Sequence, residues 1–258
     1  MKRKLWNKDT ILMLQGNAVS ALGDILYSVA IGYWVYEKTG SSALMGIMSS
    51  ISMFMTMLVM PFSGSIIDKC SRKLIIVGMD TLRGVIMLAL GVLAFADSLS
   101  VPVVLAAAFL ASACSVFFSP AVSTLMLDII PHDDMVRGQS VFSGVNSFIN
   151  LVGKAISGAL VAFLGVPLIV LLNGVSYLVS AFTELFITVP KTVHQGEKIT
   201  LGGIFSDFRV AVREIFRNRY LKLFIPCALI LNLLSAGSMT LMLPFALEKG
   251  FTVDMYGY

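Results

Sequence analysis

Apolar residues fill seven long stretches of the chain, at about 10–36, 42–67, 74–96, 101–129, 139–164, 166–189 and 221–246. The runs are continuous, whereas a membrane strand alternates in and out over about 10 residues. Each is long enough for a helix, which needs about 20 residues to cross a hydrocarbon core of about 30 Å. In hydrocarbon the backbone must satisfy its own hydrogen bonds, so only helices or closed barrels span it. The pattern predicts an all-α membrane protein with seven spans. Residues 199–220 break the pattern. Leu201, Ile204, Phe205, Phe208, Val212, Ile215 and Phe216 recur at helical spacing, with Asp207, Arg209, Arg213, Glu214, Arg217 and Arg219 largely opposite. This predicts an amphipathic helix, lying in the inner interface or packed on the bundle. The organisation expected is a six-helix bundle at 1–189, a cytoplasmic amphipathic linker at 190–220, and the first span of an incomplete second bundle at 221–258.

Composition agrees with a lipid-facing chain. Hydrophobic residues make up 57% of the sequence and charged residues 13%, about half the proportion of a soluble domain. The net charge of +4 does not mark a nucleic-acid binder, because the basic residues lie between apolar runs. With the N-terminus in the cytoplasm, 15 of the 19 lysines and arginines fall inside, and only Lys38 and Lys249 fall outside. That asymmetry sets the orientation by the positive-inside rule. Cys70, Cys114 and Cys227 show no paired or metal-ligand spacing. The first apolar run is too long for a signal-peptide core and is read as a retained span.

Charged and polar groups inside the spans are the candidate chemistry. A charge near the bilayer centre costs at least about 2.5–3.5 kcal/mol and usually faces a bundle interior or pathway. In span one, Asn17, Ser20, Asp24, Tyr27 and Ser28 recur at spacings of three and four; in span five, Asn146, Asn150, Lys154 and Ser157 do the same. At 1.5 Å per residue Asp24 and Lys154 lie at an equal depth of about 21–23 Å, which predicts that they are partners. They are expected to bind substrate or carry a coupling proton, with Asn17, Asn150 and Tyr27 beside them; the alternative is a buried pair that only orders two helices. Asp80 and Arg83, three residues apart, are expected to pair locally as a structural element. Glu184 is expected to snorkel toward the inner surface, and His132 and His194 to be solvated. The 15 methionines, densest in span two, read as lipid-facing or packing residues, or as an adaptable lining for apolar substrates.

The loop between spans two and three reads PFSGSIIDKCSRK over 61–73. It resembles the signature loop of the major facilitator superfamily, G-x-x-x-D-R/K-x-G-R/K-R/K, which sits between the same spans. Gly64, Asp68, Lys69, Arg72 and Lys73 match, and Ser71 replaces a glycine. Gly64 is expected to allow close helix approach, and the cations to grip a neighbouring carboxylate. Residues 118–131, FSPAVSTLMLDIIP, resemble the end of span four in the exporter branch that includes macrolide and siderophore (enterobactin-type) efflux proteins. Asp128 is there the expected partner of the gate motif, either in a static ion pair or in a latch formed when the cytoplasmic side is closed. Gly153, Lys154, Ser157 and Gly158 resemble the glycine-rich span-five motif of exporters, G-P-x-x-G-G, with lysine in place of proline and serine in place of one glycine. Gly153, Ser157 and Gly158 are expected to pack helices closely.

The resemblance covers essentially the whole chain and extends to Tyr256 and Gly257, similar to the lead-in to an eighth span. It implies the first bundle and seventh span of a twelve-span secondary transporter, with the C-terminal half missing as a partner. The activity implied is ion-coupled efflux of a small amphipathic or apolar compound by alternating access, using a proton or other ion gradient. No cofactor, metal or nucleic acid is expected. The partners are the bilayer of the cell membrane and a small-molecule substrate. There is no ATP-binding loop, no H-E-x-x-H site and no G-x-S-x-G elbow, so an enzyme is not expected. Two alternatives stand beside the transporter: a non-transporting remnant or half-transporter that needs a partner, and a seven-helix receptor, although span seven has no Schiff-base lysine.

Overall fold

The computed structural model describes residues 5–188, 201–228 and 230–231. They form two compact units, 1–200 and 201–258. The first holds six long helices: α1 (Lys8–Thr39), α2 (Ser42–Lys69), α3 (Arg72–Phe95), α4 (Val101–Ile129), α5 (Met135–Leu164) and α6 (Val166–Glu184). In the second, α7 (Leu201–Arg217) is followed by further helix at 219–228. The helices cover the six expected spans and the amphipathic segment with ends shifted by a few residues. Most of the expected seventh span, together with His194, Lys191, Lys198, Lys249, Tyr256 and Gly257, lies outside the described residues.

Local chemistry sets the ends. The Asn7 side chain accepts the Thr10 N–H at 2.8 Å and caps α1. Gly40 closes α1 with φ of 63°, a left-handed turn that suits glycine. Pro102 and Pro167 lie in the first turns of α4 and α6, where a missing N–H costs nothing. Five of the helices (α1, α3, α4, α5 and α6) are long and apolar enough to cross a membrane. In α2 the segments Ser50–Met60 and Phe62–Lys69 meet at 59° and, taken as one span, give a sixth candidate crossing. The bend falls at Pro61, which has no backbone N–H to give.

Within the bundle α6 packs between α1 and α3, α4 packs on α3 and α2, and α5 packs on α1. Glycines make the closest seams. A methyl group added at Gly91 would stand 2.5 Å from Leu171, and one at Gly23 would stand 2.4 Å from Asn173 Oδ1. Without a hydrophobic drive between helices in lipid, such small residues let dispersion and polar contacts hold them together.

The core has two apolar layers. One joins Met13, Ile76, Phe118, Leu125 and Ile187. The other joins Ala30, Val35, Met87, Val104, Ile169 and Tyr177. Between the layers each of four helices carries its polar residues: Asp24 on α1, Asp80 and Arg83 on α3, Ser115 on α4, and Ser180 and Glu184 on α6. The site lies in this gap.

Candidate functional site: a buried charge layer

Arg83 is the hub. Its side chain is 4% exposed and ion-paired to Asp80, whose side chain is wholly buried. The guanidinium lies between two aromatic faces, 4.2 Å from the Phe118 ring centre and 4.5 Å from that of Tyr177. Stacking of this kind suits the flat, weakly hydrated arginine cation far better than it would a lysine. One nitrogen also stands 3.5 Å from both Ser115 Oγ and Tyr177 Oη. The Tyr177 hydroxyl in turn donates to Asp24 Oδ1. A chain of polar contacts therefore runs Asp80–Arg83–Tyr177–Asp24, from α3 through α6 to α1.

The layer continues along α6. Ser180 donates to Glu184 Oε1 at 3.3 Å, and Glu184 is 1% exposed. Gly16 on α1 leaves the space that Ser180 and Glu184 fill. Three carboxylates, Asp24, Asp80 and Glu184, thus share the field of one guanidinium.

Asp24 also opens onto a cavity of about 320 Å³ lined by α1, α2, α3, α4 and α6. Tyr27, Ser28, Ser52, Ser112, Ser115 and Tyr177 supply its other polar side chains, and Ser52 and Ser112 hydrogen-bond across α2 and α4 at 2.8 Å. A second cleft of about 370 Å³ lies between α1, α4 and α5, with Asn17, Ser119, Ser123, Gln139, Ser143 and Asn146 on its walls. The polar stripe of α1 therefore divides between two spaces. Asn17 faces one, and Asp24, Tyr27 and Ser28 face the other.

Several expectations are corrected and one is extended. Asp24 is not paired with Lys154. Its partner is Tyr177, and Lys154 is exposed. Equal depth along two helices says nothing about which way each face is turned, and α5 turns Lys154 away. Asn150 is likewise exposed, donating to the Asn146 carbonyl one turn back at 3.0 Å. Glu184 does not snorkel, because α6 turns it into the bundle against α1. Asp80 and Arg83 do pair at i, i+3, but the pair is not merely local, since Arg83 reaches α4 and α6. Finally, Gly64 and Gly158 face open space among the described residues, whereas Gly153 abuts Ile25 and Ser157 is buried. Tyr177 and Asn173 had no place among the expected site residues. Their signal was present as Asn173, Tyr177, Ser180 and Glu184, a polar row at spacings of three and four on an otherwise apolar helix.

At the bundle end that carries the basic loop, Arg72 Nη1 meets Asp128 Oδ2 at 2.5 Å. Asp128 is thus the carboxylate facing the gate motif. Asp68 is exposed, and Lys69 and Lys73 are half-buried. Two further ties sit at this end. Asn7 Nδ2 donates to the Ile129 carbonyl at 3.1 Å, and Asp9 Oδ1 accepts the Thr188 N–H at 2.9 Å. They join the start of α1 to the ends of α4 and α6.

The sequence profile described as Major Facilitator Superfamily matches residues 13–258. The chain belongs to that superfamily. Among its relatives, the protein of Bacillus subtilis described as bacilysin exporter BacE is 30% identical over 217 residues, covering 81% of this chain and 51% of the relative. Macrolide efflux protein A of Streptococcus pyogenes is 22% identical over 186 residues, covering 72% of this chain and 46% of its own length. The uncharacterized MFS-type transporter YkuC of Bacillus subtilis is 21% identical over 260 residues, covering 97% and 59%. The chain spans about half the length of the curated relatives it matches. Two of these relatives are named for export, and the apolar helices of this chain make it a multi-pass membrane protein of the superfamily.

Proposed function

We propose that the chain supplies one helical bundle of an ion-coupled secondary exporter in the cell membrane, with its N-terminus in the cytoplasm. The substrate is a small amphipathic or apolar compound moved by alternating access. The observation that carries this reading is the buried Asp80–Arg83–Tyr177–Asp24 chain opening on a cavity of about 320 Å³. Charges are costly in a bilayer, and a buried ion pair adds little net stability. A layer of this kind is therefore better explained by work done on a solute or proton than by packing. Asp24 is the charged member that lines the cavity, within reach of a substrate. A proton or a cationic substrate at Asp24 removes the negative charge that Tyr177 and Arg83 face. That change supplies differential energy between two states of the bundle. The relatives named for export of bacilysin and of macrolides support the outward direction.

Lys154, Asn150 and Asn17 stay in the proposal as groups on faces of α1 and α5 that a substrate in the wider translocation path would meet. The Arg72–Asp128 pair acts as a cytoplasmic latch, present when that side is closed. Asp24→Asn tests the core of the reading. Inverted membrane vesicles carrying the natural protein should accumulate a fluorescent amphipathic cation when acidified inside. Asp24→Asn should abolish accumulation at unchanged membrane abundance. Full accumulation by the variant would remove Asp24 from the mechanism.

A further inference from the structure

Two carboxylates lie deeper than Asp24, out of contact with its cavity. Asp80 and Glu184 come from α3 and α6 and are 0% and 1% exposed. Ser180 lies between them, donating to Glu184 and standing within reach of Asp80. Each carboxyl has one oxygen, Asp80 Oδ2 and Glu184 Oε2, that is buried with no hydrogen-bond partner. The groups that act on them from each packed element are Asp24 on α1, Asp80 and Arg83 on α3, Cys114 on α4 and Tyr177 on α6.

Charge counting then decides the state. Three ionised carboxylates against one guanidinium would leave a net charge of −2 in a dry layer. Arg83 is bonded to Asp80, and Asp24 has the Tyr177 hydroxyl and the cavity. Glu184 has only a serine hydroxyl. An unpaired buried charge is the costliest arrangement open to a side chain, and an added O–H would give a bare oxygen such as Asp80 Oδ2 a donor. We propose that Asp80 and Glu184 form a second proton-binding site, separate from the Asp24 cavity, whose one proton passes between the two carboxyls as Arg83 shifts its pairing. When Arg83 pairs with Asp80, the proton resides on Glu184. When Arg83 is drawn along Tyr177 toward an ionised Asp24, the two inner carboxyls share the proton left to them. Loss of a proton from the Asp24 side and redistribution of the inner proton from Glu184 toward Asp80 are thereby linked through one cation.

The proposal rests on the transporter reading for its purpose, but its test needs no transport. Infrared difference spectra of the purified natural protein in lipid, taken from acid to alkaline pH, resolve the C=O stretch of protonated carboxyls. Wild type should show two such bands that titrate. Glu184→Gln should lose one and Asp24→Asn the other, with melting behaviour retained. Ser180→Ala, a mild change, should shift the Glu184 band without removing it. An unaltered spectrum in Glu184→Gln would overturn the proposal, as would a Glu184 band that stays constant across the whole pH range, marking a static structural proton. A band abolished by sodium at constant pH would assign the site to a metal cation instead. Should Asp24→Asn leave transport intact while the Glu184 band still titrates, the exporter mechanism fails and the proton site survives.

Discussion

Arg83 is held by an anion at one end and by aromatic faces on both sides, and its variants should separate these roles. Removing the cation leaves Asp80 charged and alone, a loss of about 3–5 kcal/mol for a buried pair. Arg83→Gln should therefore lower the thermal unfolding midpoint of the detergent-solubilised protein sharply. Arg83→Lys keeps the charge but loses the planar fork and the stacking on Phe118 and Tyr177, costing about 1–2 kcal/mol. The double variant Asp80→Asn with Arg83→Gln removes both charges and should recover most of the stability lost by Arg83→Gln alone. Strict additivity of the two single effects would show that the residues do not interact. Tyr177→Phe is a finer cut. It leaves the ring that Arg83 stacks on and deletes the hydroxyl that serves Asp24. A hydrogen bond to a charged group contributes about 1.5–3 kcal/mol. Vesicle uptake should fall by about tenfold or more, and the unfolding midpoint should drop by less than for Arg83→Gln.

At the level of the helices, the six spans of the first unit were legible because a helix in lipid announces itself by length and continuous apolarity. The Arg72–Asp128 contact was legible too, since both residues lie at the same end of consecutive antiparallel spans. The charge layer was not. Asp24, Asp80, Arg83 and Glu184 were each visible as charges in apolar runs, but which helix faces which depends on side-by-side packing that no single-helix periodicity records. Lys154 shows the cost of that gap. It was assigned by depth, and depth leaves the rotation of α5 undetermined. The glycines decide the rotation instead, because they mark where backbones touch. Gly23→Val would push a side chain into Asn173 and Ser176 on α6, where the added Cβ alone stands at 2.4 and 2.5 Å. Overpacking of this kind costs about 1–3 kcal/mol. Gly158→Ala adds its methyl to open space and should leave unfolding unchanged. Equal effects of the two substitutions on unfolding temperature would contradict the packing of α1 on α6.

Taken as one molecule, the first unit is tied most firmly at a single end. Arg72 to Asp128, Asn7 to the Ile129 carbonyl and Asp9 to the Thr188 N–H all close helix ends there, where the basic 68–73 loop also lies. A closed end with ionic and hydrogen-bonded ties is easily opened by water, whereas the apolar layer beyond the charge cluster holds mainly by dispersion contacts, with the Ser52–Ser112 hydrogen bond beside it. In the proposed transporter this tied end is the gate, and the proposed orientation puts it in the cytoplasm. Cys70 stands in that loop, half-buried, while Cys114 is buried in α4 and Cys227 is exposed in the second unit. With Cys227 replaced by serine, a membrane-impermeant maleimide should leave intact cells unlabelled and label Cys70 in inverted vesicles. Arg72→Ala removes the ion pair beside it and should speed that labelling several-fold, as the gate spends more time open. Labelling of Cys70 in intact cells would reverse the orientation of every helix and move the gate to the outer face. An unchanged labelling rate in Arg72→Ala would mean that the ion pair fixes helix ends without controlling access.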